Sequence, residues 1–236
     1  MMSYTVKRIF LGIVKRVYLT IVPARVRKSS IVGRLKARMP FMHDMSYDAH
    51  YYEGTVEAAA VRSAGAIADS IVESFHPAKV VDVGCGTGAV LAALRDRNCT
   101  VFGLEYSSAA LDYCRKRKLD VAKFDLENDS LKNGRRFDVA VSLEVAEHLP
   151  QSVADRYVDL LTSLSDSVVF TAAQPGQGGM DHVNEQPASY WISKFQQRGF
   201  LHSEELTRNW RADWKSGGTV QPWYYANLMI FRKTQQ

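Results

Sequence analysis

The chain has 236 residues, of which 46% are hydrophobic and 23% charged, a composition that argues against a fibrous or largely disordered protein. This length suits one α/β domain with a short appendage better than two full domains. The three cysteines, Cys85, Cys99 and Cys114, show no paired metal-binding spacing and indicate a reduced, intracellular setting.

The net charge of +5 is concentrated at the N-terminus. Residues 1–43 contain ten lysines and arginines and no acid, so the rest of the chain is mildly acidic. Because the excess positive charge is confined to this arm, the sequence does not favour a basic catalytic face for nucleic acid. A nucleic-acid partner is therefore not expected.

The same arm carries apolar residues at helical spacing, namely Val6, Ile9, Phe10, Ile13, Val14, Val17, Tyr18 and Ile21. No uncharged run in it approaches the roughly 20 residues that span a bilayer. Two interpretations stay open: a helix packed on its own domain or on a second subunit, or an interfacial helix on an anionic membrane. We divide the chain into this arm, residues 1–45, and a domain, residues 46–236. We expect a cytoplasmic protein, with peripheral membrane association as a further expectation.

Helix and strand signals alternate along the domain. Strands are predicted over residues 79–83, 100–104, 120–124, 137–143 and 167–172, and helices over residues 56–75, 88–97, 107–118, 152–164 and 187–198. The two last apolar runs, 200–206 and 224–232, are predicted as strands with no helix between them, so the last strand pairs antiparallel or leaves the sheet. The predicted fold is α/β, a doubly wound, mostly parallel seven-stranded sheet with an antiparallel last strand.

A glycine-rich turn follows the first predicted strand in VVDVGCGTG. Glycines at 84, 86 and 88 allow a tight turn and a close approach of the backbone to a ligand at a helix N-terminus. With Ala89 and a later Glu105, the pattern also passes as a dinucleotide fingerprint. The acids around the turn distinguish a dinucleotide from other nucleoside ligands.

Three acids follow or end successive strands. Asp82 suits a ligand with an ammonium group and suits a pyrophosphate badly. Glu105 can accept hydrogen bonds from both hydroxyls of a ribose, and Asp125 from an adenine amine, with the backbone N–H of Leu126 near the ring. Ammonium, ribose and adenine together describe S-adenosylmethionine and not NAD.

The segments VVDVGCGTG, GLEYS, FDLEND and FDVAVSLEVAEHLP resemble the successive motifs of the class I (Rossmann-like) S-adenosylmethionine-dependent methyltransferases. The resemblance runs from about Val56 to the C-terminus and implies a methyltransferase that uses this cofactor. The residues it assigns to cofactor binding are Asp82, Gly84, Cys85, Gly86, Gly88, Glu105, Tyr106, Asp125, Leu126 and Leu143. The non-enzyme alternative is a docking module that keeps the cofactor fold without activity.

Catalytic groups are expected after the fourth and fifth strands, at the edge where an open sheet binds its ligands. His148 and His182 are each candidate general bases for a hydroxyl, and Glu144 joins them as a catalytic candidate. Glu144, Glu147, His148 and His182 could instead surround Mg²⁺, Mn²⁺ or Zn²⁺. That pattern resembles the small-RNA 3′-terminal 2′-O-methyltransferases, but the acidic body of this chain disfavours RNA. No metal is assigned from the sequence.

Two segments are expected to cover the acceptor: the loop from Thr171 to Pro187 and the tail from Trp210 to Trp223. Their aromatic and hydrogen-bonding groups suit a small molecule or a glycan, such as a cell-envelope precursor. The alternative acceptor is a quinone-type phenol at the membrane, which the basic arm would also serve. Transfer to oxygen is inferred from the histidines, and transfer to nitrogen or carbon stays open.

Overall fold

The computed structural model describes residues 51–131 and 134–234. A π-helical turn, Tyr52–Val56, leads into helix α1, Glu57–Phe75. The strands are β1 (Lys79–Val83), β2 (Thr100–Glu105), β3 (Val121–Lys123), β4 (Val139–Leu143), β5 (Ser167–Thr171), β6 (Phe200–His202) and β7 (Met229–Lys233). The other helices are α2 (Ala89–Arg95), α3 (Ser108–Lys116), α4 (Ala154–Leu164), α5 (Ala188–Gln196), α6 (Glu204–Gly217) and α7 (Pro222–Asn227).

The strands form one seven-stranded sheet in the order β3-β2-β1-β4-β5-β7-β6. Strands β1 to β5 pair in parallel, whereas β7 pairs antiparallel with both β5 and β6. The predicted fold class is confirmed. Strand order changes direction between β1 and β4, and ligands of such sheets bind beyond the carboxyl ends of the strands at this point.

Helices cover both faces of the sheet, which explains the continuous apolar runs of its strands. On one face, Val80 and Val141 belong to a core cluster that includes Ile67 of α1 and residues of α2 and α6. On the other face, Val81 belongs to a cluster that includes Tyr157 of α4 and residues of α5. The buried core therefore lies on either side of β1 and β4 and holds their ends in place.

The prediction of two final strands without an intervening helix is wrong, because α6 and α7 separate β6 from β7. The buried residues of α6, Thr207, Trp210 and Trp214, recur at helical spacing. The indole N–H of Trp210 donates to Ser74 at 3.0 Å, and that of Trp214 donates to Ser70 at 2.8 Å. These three inward side chains form the buried face of α6. The polar remainder of the segment led to its prediction as a loop.

The predicted arm, residues 1–45, lies outside the described residues, so its interpretation stays a prediction, as does the domain boundary. Within residues 51–131 and 134–234, none of the helices combines the length and the apolar character needed to cross a membrane.

Candidate active site

A cavity of about 870 Å³ opens at the carboxyl ends of β1, β2 and β4. Its lining includes twelve of the thirteen residues predicted as cofactor-binding or catalytic, which come from the ends of β1, β2 and β4, from the turns after β1 to β4 and from the segment around His182. Gly88 is the exception, since it is absent from the lining. The fold thus brings residues from as far apart in the sequence as Asp82 and His182 to one concave surface, at the place expected for a doubly wound sheet.

The three glycines of the turn after β1 serve different purposes, and all have positive φ. A Cβ atom on Gly84 would lie 2.6 Å from the Val145 side chain, and one on Gly88 would lie 2.5 Å from that of Leu119. A Cβ on Gly86 would have no atom within 4 Å. Packing therefore requires glycine at 84 and 88, whereas Gly86 leaves open space at the cavity wall. That space is what a closely bound ligand would occupy.

Two carboxylates flank this turn, and both are buried. Burial raises the pKa of Asp82 to about 8, and the nearby charge of Glu105 contributes to this rise. Glu105 accepts hydrogen bonds from the backbone N–H of Gly86 at 2.8 Å and of Ser107 at 2.6 Å. A cation bound beside Asp82 would favour its ionised form, so this part of the cavity suits a positively charged group.

Asp125 lies in the turn after β3 and lines the cavity. Its carboxylate accepts from the backbone N–H of Glu127 and from the side-chain amide of Asn128, each at 2.9 Å. Glu127 also lines the cavity, and burial followed by the charge of Asp125 raises its pKa. Glu127 belongs to the FDLEND motif, but its position there did not predict a role.

Aromatic residues to which the sequence pattern assigned no role also line the cavity. Tyr52 is 5% exposed, and its ring packs edge-on against Tyr51 at a centroid distance of 5.1 Å. Burial and then the charge of Glu105 raise the pKa of Tyr52. Tyr224 on α7 also lines the cavity. The aromatic run DAHYYEG contains Tyr51 and Tyr52 and was the sequence feature from which their place in the cavity could have been predicted.

The tail was predicted to cover the acceptor through its tryptophans, and this prediction is wrong for two of them. Trp210 and Trp214 are buried in the core against α1. Trp223, at the start of α7, does line the cavity. The predicted loop contributes as expected, since Gln177 to Val183 line the cavity as well.

The segment after β4 supplies the catalytic candidates. Glu144 has φ +56°, and its backbone N–H donates to the hydroxyl of Thr171 at 2.8 Å. Its carboxylate accepts from the amide of Asn227 at 3.0 Å and from that of Gln177 at 3.3 Å. Burial raises the pKa of Glu144 against these hydrogen bonds. Amide donors from two other segments therefore fix this carboxylate.

The two histidine candidates come together although 33 residues separate them in the chain. The rings of His148 and His182 lie 4.9 Å apart at an interplanar angle of 85°. Nδ1 of His182 hydrogen-bonds to Glu185 at 2.9 Å. Glu185 also accepts from the backbone N–H groups of Gly176 at 2.8 Å and Gly178 at 2.7 Å, and its hydrogen bonds to His182 and to these two groups lower its pKa against the effect of burial.

Glu147 completes this group and is fully buried. Neither of its carboxylate oxygens has a hydrogen-bond partner among the described residues. Burial, and then the charge of Glu144, raise its pKa well above the usual value for a glutamate. The arrangement can take a proton from a hydroxyl, hold a cation, or do both, and the catalytic roles remain predictions.

Residues 81–164 match the family model described as "Methyltransferase domain". The chain is similar to the ubiquinone biosynthesis O-methyltransferase of Nitrosomonas europaea, with 30% identity over 88 residues, which is 35% of this chain and 37% of that protein. It is also similar to the magnesium-protoporphyrin O-methyltransferase of Synechocystis, with 21% identity over 160 residues, 64% of this chain and 70% of that protein.

Among solved structures, the fold resembles the 1,6-didemethyltoxoflavin-N1-methyltransferase of Burkholderia thailandensis, with a TM-score of 0.58 and 17% identity over 86% of this chain and 90% of that one. The predicted resemblance to class I methyltransferases is confirmed at the level of domain family and fold. The chain spans only about a third of the length of the ubiquinone-pathway relatives that it matches.

Proposed function

We propose that this chain, which resembles the class I methyltransferases in its matched domain and in its fold, transfers the methyl group of S-adenosylmethionine to a hydroxyl of a small molecule with an apolar body. The observation that carries the proposal is the continuity of one cavity. The buried acids and open glycine turn lie along its lining together with two histidines and a buried glutamate.

The cofactor assignment rests on the fit of the cavity. Asp82 offers a buried carboxylate to an ammonium group, and the open side of Gly86 leaves room for a ligand against the backbone. Glu105 holds the glycine turn and lines the same cavity, and its carboxylate is the group that we assign to the ribose. A solved structural neighbour, the Synechocystis magnesium-protoporphyrin IX methyltransferase, carries bound S-adenosylmethionine, which supports the same cofactor here.

The chemistry requires little covalent work from the protein. S-adenosylmethionine supplies a methyl group already activated by its sulfonium. As the C–S bond breaks and the new C–O bond forms, the electron pair stays on sulfur and the hydroxyl proton must leave. The cluster of Glu147, His148 and His182 is the part of the cavity that can make the hydroxyl more acidic or accept its proton. The other lining residues align the two reactants.

The character of the acceptor follows from the apolar side chains of the cavity lining. Met180 is 53% exposed and Val183 is 38% exposed, and both line it. Exposed large apolar side chains beside a cavity indicate an apolar ligand. A glycan is less favoured than the sequence suggested, because Trp210 and Trp214 are core residues. A quinone-type phenol is the acceptor class that we favour, and the partial match to ubiquinone biosynthesis O-methyltransferases supports this choice.

The test is methyl transfer by the full-length protein with labelled S-adenosylmethionine. Three acceptor sets are compared: alkyl-substituted phenols, sugars and amines. We expect labelled product and S-adenosylhomocysteine with the phenols. Asp82→Ala should lose both cofactor binding and turnover. His148→Ala and His182→Ala should lose turnover while retaining cofactor binding.

Three outcomes would count against the proposal. Labelled amines alone would move the transfer to nitrogen, and labelled sugars alone would restore the glycan as acceptor. Tight cofactor binding without turnover in any of the three acceptor sets would favour the docking-module alternative. The exposed His76→Asn variant is the control for loss of a histidine, since His76 lies outside the cavity lining.

A further inference from the structure

We propose that Glu147, His148 and His182 form a three-ligand site for a divalent transition-metal ion of the Mn²⁺ to Zn²⁺ series, with its open side toward the acceptor. That the open side faces an acceptor hydroxyl rests on the proposed function. The site itself rests on geometry, because each of the three residues offers one ligand atom and these atoms all lie within 4.8 Å of one another.

The state of Glu147 is the strongest indication of a missing ligand. Its side chain is 0% exposed, and both oxygens lack a hydrogen-bond partner among the described residues. None of the lysines and arginines in the described ranges forms an ion pair with it. An unpaired buried carboxylate is costly, whereas a bound cation turns the same group into a favourable ligand.

The backbone of Glu147 also assembles the site. Its carbonyl oxygen accepts from the backbone N–H of Val183 at 2.9 Å and of Asn184 at 3.0 Å. These two bonds dock the segment that carries His182 against the segment that carries His148. The proximity of the two imidazoles is therefore built into the main chain and does not depend on side-chain packing alone.

His182 has the support that metal-bound histidines typically receive. Its Nδ1 is hydrogen-bonded to Glu185, a residue that two backbone N–H groups hold in place. A carboxylate at one ring nitrogen fixes the ring and directs the other nitrogen to the metal. The Nε2 side of the ring passes Gly179, where a Cβ would lie only 2.2 Å from Nε2. Glycine at 179 thus lets the backbone pack close against the ring of His182.

Glu144 lies next to this cluster but is not a ligand in the site we infer. Its two oxygens accept hydrogen bonds from the amides of Asn227 and Gln177. The ligand set is then two imidazoles and one carboxylate, which suits Mn²⁺, Fe²⁺ or Zn²⁺ better than Mg²⁺ or Ca²⁺. Three protein ligands leave coordination positions for the acceptor hydroxyl, whose pKa the metal would lower.

The test begins with full-length protein stripped of metal by a chelator. Mn²⁺ binding is measured by electron paramagnetic resonance and Zn²⁺ binding by calorimetry. We expect one site per chain. Glu147→Gln and His182→Ala should weaken metal binding by about 100-fold or more. Glu185→Gln should weaken it by about 10–100-fold, because Glu185 orients His182. Glu144→Gln and the control His76→Asn should keep the stoichiometry and the affinity within a few-fold.

Absence of stoichiometric binding to the wild-type protein, or equal binding by Glu147→Gln and the wild type, would overturn the site. Undiminished S-adenosylmethionine affinity in each variant establishes that a loss of metal is not a loss of folding. If Glu147→Gln does not fold, Glu185→Gln carries the test through its intermediate loss of affinity. A loss of affinity in Glu144→Gln as large as that in His182→Ala would replace the inferred ligand set with a four-ligand one.

Metal binding and methyl transfer can fail separately. A metal site with no turnover on any acceptor would contradict the proposed function and leave the site standing. Full turnover in the presence of chelator would leave the methyltransferase standing and assign His148 and His182 to direct proton transfer.

Discussion

The carboxylate of Glu105 accepts a hydrogen bond from the backbone N–H of Gly86 across 2.8 Å, so the end of β2 holds the turn that follows β1. The carbonyl oxygen of Leu104 adds bonds from the N–H groups of Gly84 at 2.8 Å and Cys85 at 3.1 Å. The glycine turn is therefore organised before any ligand arrives. Preorganisation of this kind lowers the cost of binding.

Glu105→Ala should weaken the binding of S-adenosylmethionine by about 10–100-fold, as expected for the loss of a charged hydrogen-bonding group. The loss combines a ribose contact with the anchor of Gly86. Calorimetry measures the affinity of the wild type and of Glu105→Ala for S-adenosylmethionine and for NAD. Glu73→Ala, which removes an exposed carboxylate on α1, is the control. NAD should bind neither protein, and tight NAD binding by the wild type would contradict the cofactor assignment.

Gly86→Val should abolish cofactor binding, because the side chain would enter the open space at the cavity wall and would also strain a residue with φ +53°. Gly134→Val is the matched control. Gly134 has φ +48°, and a Cβ there would likewise have no atom within 4 Å, but this residue lies outside the cavity lining. Equal affinity of the two variants would show that the space beside Gly86 is not a binding surface.

Cofactor affinity should depend on pH through Asp82, whose pKa is raised to about 8 in the ligand-free protein. Below that pH the carboxyl is protonated, so binding an ammonium group releases a proton. Affinity should rise by up to about tenfold per pH unit between about pH 6 and 8. Calorimetry in buffers with different ionisation enthalpies measures the released proton directly. Asp82→Asn should remove both the proton release and the pH dependence.

The same shift has a consequence for stability. A folded-state pKa above the unfolded value means that the contribution of Asp82 to stability is present at low pH and declines between about pH 4 and 8. Asp82→Asn should therefore raise the Tm of the ligand-free protein at about pH 8, by about 2–4 °C for each kcal/mol regained. Thermal unfolding without cofactor checks this, and a lowered Tm would contradict the assigned protonation state.

Trp214→Phe should destabilise the fold by about 0.5–1.5 kcal/mol, because it leaves the hydroxyl of Ser70 without the indole N–H. Trp214→Ala should cost about 3–5 kcal/mol through the cavity it creates. Urea unfolding measures both. Cofactor affinity should stay unchanged, since Trp214 belongs to the core cluster against α1. A large change in acceptor KM with normal stability would restore the tail tryptophans as a cover over the acceptor.

The basic arm should bring the protein to anionic membranes, where each basic residue near the surface contributes about 1 kcal/mol. We expect a chain that begins at Tyr47 to bind S-adenosylmethionine normally but to lose co-sedimentation with phosphatidylserine vesicles. Salt should release the full-length protein only in part, because we expect the apolar stripe of the arm to insert into the membrane. If the full-length protein ignores vesicles and the shortened chain unfolds, the arm is a packing element.

The sequence predicted β1, β2 and the glycine turn well because buried parallel strands are short apolar runs and the turn requires glycine for steric reasons. Helix α6 was missed because its buried residues, Thr207, Trp210 and Trp214, lie within a polar segment. The orphaned state of Glu147 was also beyond prediction. It arises from the packing of segments that are distant in the sequence, which no local pattern encodes.

The reversed strand β7 makes the sheet assemble out of chain order. Its partner β5 is complete at Thr171, but residues 172–228 must be synthesised before β7 can pair with it. At about 5–20 residues per second, the edge of β5 stays unpaired on the ribosome for about 3–11 s. An apolar strand edge is prone to pairing with other chains, so we expect newly made protein to depend on chaperones during this interval. Arrested nascent chains that end before Met229 should bind them, and chains extended well past Lys233 should not.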